Sequence, residues 1–117
     1  MSEVNERIAT ICGGHEEPDS GGMWWMPNDI LKRLVLLDSV PQFTTSMDAI
    51  QRWVIPELVR NGCDVSLVYE AGGEWCVTIE RWSNLHTCEY SICFNGGNLP
   101  DVLANAFLQI HSPRPEV

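Results

Sequence analysis

The residues with the widest chemical reach are five cysteines, Cys12, Cys63, Cys76, Cys88 and Cys93, and three histidines, His15, His86 and His111. Thiolate and imidazole together hold zinc, and a thiolate beside an imidazole is a nucleophile. Their spacing supports neither arrangement. No Cys-x-x-Cys pair occurs, and Cys12 and His15 flank Gly13-Gly14 with no matching second pair. Cys88 and Cys93 are an odd number of residues apart, so on one strand they point to opposite faces. His86 and Cys88 are the nearest such pair, at the edge of a strand. The expected state of the cysteines is small buried thiols, with no metal, no cofactor and no disulfide framework, since their count is odd and the first residues are charged. Acidic residues are plentiful, yet none is spaced as a general acid–base pair must be. Gly-Gly occurs at 13–14, 21–22, 72–73 and 96–97, outside any phosphate-cradling motif, and turn chemistry accounts for each. An enzyme is not expected.

The aromatic residues offer a different chemistry. Trp24, Trp25, Trp53, Trp75 and Trp82 are many tryptophans for 117 residues, and Trp is favoured in interfaces as well as cores. Trp53 and Trp75 are expected in the core. Trp24 and Trp25 are adjacent, so an extended backbone turns them to opposite faces and leaves one for the surface. Trp82 falls on the strand face opposite Trp75. Trp24, Trp25, Glu80 and Trp82 are therefore the candidate partner-binding residues. A second reading uses Arg81 beside Trp82 and Arg52 beside Trp53. Arg52, Arg81 and Trp82 would stack on and pair with a nucleotide-derived ligand, held at an oligomer interface.

Several elements must position these residues. Val4, Ile8 and Ile11 recur at helical spacing over 3–12, with Ser2 as a cap and Gly13-Gly14 as the stop. Residues 13–22 have the composition of a mobile polar loop. Met23–Pro27 reads as a short strand ended by Pro27, and 28–37 as a helix burying Ile30, Leu31, Leu34 and Val35 or as a partly irregular segment. A helix over 45–61 starts at a capping box of Thr45 and Asp48 and buries Met47, Ile50, Val54 and Leu58. Pro56 is expected to kink it. Three strands follow at 64–70, 74–82 and 88–94, joined by short turns at Ala71-Gly72-Gly73 and 83–87. Such connections make an antiparallel meander, three-stranded or, with a further strand, four-stranded. A last helix over 99–111, capped by Asn98, carries Leu99, Val102, Leu103, Ala106, Phe107 and Ile110 on one face, and 112–117 is a frayed tail. The fold class is a single-domain α+β sandwich.

Composition sets the outer bounds. A hydrophobic share of 44% suits a globular domain, and no run of 18 apolar residues exists to cross a membrane. The first residues lack the apolar core of a signal peptide, which makes the cytoplasm the expected location. Sixteen acids against seven bases give a net charge of −9, so direct nucleic-acid binding is not expected; the charge reads either as plain solubility or, more sharply, as a surface that docks on a basic protein partner. A second copy of the chain is a further candidate partner.

Asn5-Glu6-Arg7-Ile8-Ala9 resembles the "N-x-R-I-A" opening of small phage proteins with the phage ABA sandwich domain. Val40-Pro41-Gln42-Phe43-Thr44-Thr45-Ser46-Met47-Asp48-Ala49-Ile50 is similar to that family's "L-P-x-Y-x-x-D-L-x-A-M" segment, and the strand with Trp75 and the Ala- and Leu-rich last helix are similar too. Ser46 stands where the family has an acid, Pro56 interrupts a helix that is usually smooth, and the polar loop at 15–22 is this chain's own. The resemblance implies a helix–sheet–helix fold and a phage or prophage origin, and no reaction. Together with size and charge it leads to the expected function, an inhibitor that binds a basic, nucleic-acid-binding defence effector in the bacterial host cytoplasm, as small anti-CRISPR proteins do. The alternatives are sequestration of a nucleotide-derived immune signal, or a phage accessory role without sharp activity.

Overall fold

The computed structural model describes residues 3–84 and 86–111. Helix α1 (Glu3–Ile11) buries Ile8 and Ala9. Its Asn5 is also buried, and accepts from the Thr44 backbone N–H at 3.3 Å while donating to Gln42 Oε1 at 3.3 Å. One polar side chain thus fastens α1 to the turn that precedes the next helix. Gly13, at φ 97°, ends α1, and Gly14 returns its N–H to the Ala9 carbonyl at 2.8 Å.

A first sheet follows, in the order β1 (His15–Glu16), β2 (Trp24–Asn28) and β3 (Arg33–Leu37), all antiparallel. The helix expected over 28–37 is not there. Asn28 Oδ1 accepts from the Leu31 N–H at 2.8 Å and Lys32 takes a positive φ of 57°, so 29–32 becomes a tight loop. The apolar run after it is then a strand, because four consecutive apolar residues satisfy either period and the turn chemistry decides. Pro27 does not end β2 but lies within it, opposite Leu34. The polar segment is not loop throughout: it carries β1 and a closed turn, in which Glu17 N–H donates to the Met23 carbonyl at 2.8 Å.

Helix α2 is continuous through three segments, Met47–Ala49, Ile50–Val54 and Ile55–Arg60, the middle one wound as a π-helix. Its cap is Ser46, whose hydroxyl accepts from the Ala49 N–H at 3.2 Å, rather than Thr45. The N–H groups of Thr45 and Ser46 both donate to the Gln42 carbonyl, and that tight turn holds Thr45 outside the helix. Next to Pro56, at which a kink is expected, the helix is widened. Proline has no N–H and crowds the carbonyl four residues back, and the turn before it opens so that Ile55 N–H reaches the Ile50 carbonyl.

The second sheet is the expected meander, β4 (Cys63–Tyr69), β5 (Trp75–Asn84) and β6 (Thr87–Gly96). β4 and β5 fold about Gly72, pairing Tyr69 with Trp75 and Asp64 with Glu80. Val77 and Ile79 are fully buried under the helices, while residues of the other face, Asp64, Ser66, Val68, Ser91, Cys93 and Asn95, stay exposed. Helix α3 (Leu99–His111) buries Ala104 and Leu108 besides the expected face, because it packs against β5 and β6 on one side and α1 and α2 on the other. The result is an α+β sandwich with one continuous core and two small sheets rather than one. Ser2 and the tail 112–117 lie outside the described residues.

Candidate functional site

The predicted site residues do not converge on one place. Trp24 is a core residue, sealed at 5% exposure, and leaves the list of surface candidates. β2 turns it inward with Met26 against α1, and turns Trp25 outward, where its half-buried indole N–H donates to the Glu17 carboxylate. Trp53 and Trp75, expected in the core, are only half-buried. Trp53 lies in the π segment and donates its N–H to the Pro27 carbonyl at 2.9 Å, which ties α2 to the first sheet. Trp75 tilts against Tyr69 at the hairpin end, with ring centroids 5.0 Å apart.

Arg52 and Arg81 are not free cations. Arg52 pairs with Asp48 at 3.3 Å and lies 5.6 Å over the Trp53 ring, in a shallow cleft of about 340 Å³ shared with Asn28 and Asp29. Arg81 pairs with Glu89 at 3.1 Å. Arg81 and Trp82 are consecutive in a strand, and they open onto different concavities. Arg81 lines a polar cleft of about 400 Å³ with Glu57, Cys63, Tyr90 and His111. Trp82 lines a wider groove of about 680 Å³ with Val59, Gly62, Cys63, Asp64 and Asn84.

The polar cleft is chemically quiet. The Tyr90 hydroxyl lies 3.8 Å from Cys63 Sγ, and burial, then the Cys63 contact, pushes its pKa up. The His111 ring takes up Phe107 and Asn61: Nδ1 lies 3.0 Å from the Phe107 carbonyl and Nε2 3.5 Å from Asn61 Nδ2. That geometry closes the end of α3. Glu57 pairs with Arg60. Among the described residues no three His, Cys, Asp or Glu side chains come together as a metal site. Three of the five cysteines are not buried as expected: Cys88 and Cys93 are exposed and Cys76 half-buried. Cys76 and Cys93 sit diagonally across β5 and β6 on the open face, with sulfurs 2.7 Å apart.

The Trp82 groove is different. It opens where α2 hands over to β4. The Trp82 backbone N–H donates to the Gly62 carbonyl at 3.1 Å, which extends the β4–β5 pairing to the groove floor. A shift of register between Arg81 and Trp82 re-aims the indole. The Trp82 indole N–H is enclosed and has no acceptor among the described residues. An unmet buried donor of this kind costs about 1–3 kcal/mol. Val59, 62% exposed, supplies an apolar wall. Asp64 stands at the rim, directly opposite Glu80 in the β4–β5 register, and neither joins any ion pair among the described residues. Like charges in that position repel. Glu80 and Trp82 were legible from sequence; Asp64 and Val59 were not singled out. The signal for Asp64 was present, because it and Glu80 are equidistant from Gly72, the centre of the turn.

Comparison with protein-family models, with curated proteins and with solved structures gives no match for this chain.

Proposed function

We propose that the protein is a non-enzymatic docking protein that binds a basic partner protein through the Trp82 groove and the acidic rim beside it. The observation that carries this reading is the pairing of Asp64 with Glu80. Two unneutralised carboxylates facing each other across a ladder weaken the sheet, and a Lys or Arg from a partner reverses the sign of that interaction. Val59 and Trp82 supply the apolar contact that a purely electrostatic encounter lacks. The net charge of −9 adds long-range attraction for a basic surface. The resemblance to small phage proteins extends the proposal to a phage or prophage product that inhibits a nucleic-acid-binding defence effector in the host cytoplasm. Sequestration of a nucleotide-derived signal has less support, since Arg81 and Trp82 open onto separate concavities and both candidate arginines are already paired.

The test is capture from a bacterial lysate at low and high salt, with wild type, Glu80→Gln and Trp82→Ala side by side. Retention of one basic protein by wild type at low salt, with loss in both variants and at high salt, is the expected result. Release of a nucleotide on denaturation, with no protein retained, would overturn the proposal.

A further inference from the structure

The first sheet ends in a strand that has the marks of a pairing edge. β3 is the outer member of the order β1-β2-β3, so alternate backbone N–H and C=O groups along Arg33–Leu37 point away from β2, with no strand among the described residues to receive them. Natural edges are blunted by proline, bulges or charges along the strand. β3 has no proline and no register shift, and its only charge is Arg33, at its first residue. Leu34 and Leu36, at 38% and 37% exposure, stand on the outward face beside Trp25.

The charges around β3 suit one occupant, a second copy of the same strand. Lys32 and Arg33 stand at its start and Asp38 just past its end, all exposed and none in an ion pair among the described residues. An antiparallel copy centred on Val35 sets Leu34 opposite Leu36 within the strands and brings the end that carries Lys32 and Arg33 beside Asp38 of the copy, twice over by symmetry. That centre also keeps the buried faces of both sheets on one side, because paired residues then share parity. β4 is also an edge, with Leu67, Val68 and Tyr69 exposed, but its acids oppose self-pairing: a copy centred on Leu67 sets Asp64 against Glu70. In a chain of net charge −9, β3 is, of these two edges, the one whose flanking charges attract their own copy.

We propose that β3 forms the interface of a symmetric dimer, in which two copies pair antiparallel about Val35 to make a continuous six-stranded sheet. The contact is separate from the Trp82 groove, so the dimer leaves the proposed docking site open. Five residues a side make an interface smaller than the standard size, which places the expected dissociation constant at about 10–100 µM.

Sedimentation equilibrium across that concentration range tests it, with wild type, Lys32→Glu, Asp38→Lys and the double exchange Lys32→Glu/Asp38→Lys. The wild type is expected to dimerise, each single substitution to weaken the dimer about tenfold or more, and the double exchange to restore it. Both positions are exposed, so thermal unfolding of the variants at low concentration is expected to match wild type. A wild type that stays monomeric to about 500 µM, well above the expected range, would overturn the proposal. So would a dimer indifferent to both charges, or one that the double exchange fails to recover.

Discussion

Cys12 shows how burial at one residue couples the fold to pH. It lies just past α1, 5% exposed, with its Sγ 3.6 Å from the Trp53 carbonyl in the π segment. Burial pushes its thiol up to about 12, Glu57 adds to the shift and Arg60 opposes it. In the unfolded chain the same thiol ionises near pH 8.5–9. Below that value both states hold the proton and the thiol leaves stability unchanged with pH. Above it the unfolded state loses its proton while the folded state keeps it, so stability falls as pH rises toward about 12, at about 1.4 kcal/mol per pH unit. Urea titrations between pH 8 and 10.5 are expected to show this decline in wild type and a shallower one in Cys12→Ala. Equal slopes would show that Cys12 is not held as a neutral thiol.

At the scale of elements, the junction of α1 with the first sheet rests on Gly14. A Cβ there would meet the Met26 thioether, with the Trp25 carbonyl at 2.7 Å and the Ala9 carbonyl at 3.2 Å. Two of those neighbours are backbone and cannot rotate away, so Gly14→Ala is expected to destabilise the protein by about 1–3 kcal/mol. Gly72→Ala, in a turn where nothing lies within 4 Å, is expected to stay within about 0.5 kcal/mol of wild type in the same urea unfolding experiment. The contrast bears on what a sequence discloses. The second sheet and α3 were legible because their periods are clean: Val77 and Ile79 alternate with polar neighbours, and Val102, Leu103, Ala106 and Phe107 recur at helical spacing. In the first sheet β2 was legible as the strand at Met23–Pro27, but β3 was not, because Leu34–Leu37 satisfies either period and the deciding feature is the Asn28 side chain bonding to the Leu31 N–H. Pro56 was legible as a disturbance but not as a π-helix, since a missing N–H and a crowded carbonyl are relieved either by a kink or by a wider turn. Of the candidate site, Glu80 could be read from strand parity, whereas the register shift after Arg81 takes Trp82 out of that parity. Arg81 and Trp82 opening onto separate concavities could not, because that depends on elements packed at the sheet end.

For the whole molecule, sixteen acids on a small globule make charge a term in both stability and recognition. A net charge of −9 opposes the compact state through self-repulsion, which salt screens. The open face of the second sheet concentrates that repulsion at Asp64 and Glu80, held opposite each other by the register. Neutralising either one removes the pair repulsion, so Glu80→Gln and Asp64→Asn are each expected to stabilise the protein by about 0.2–1 kcal/mol at low salt. The double substitution is expected to gain little beyond either single one, because the repulsion can be removed only once. In 0.5 M sodium chloride the gain is expected to shrink, as the wild-type pair is then already screened. Thermal unfolding of the four proteins at two salt concentrations measures each of these terms. Additive gains would place the two carboxylates in independent surroundings and remove the electrostatic argument for a partner's cation at this rim. A non-additive gain, together with loss of capture in Glu80→Gln, would show one charge pair lowering the stability of the free protein and serving the complex.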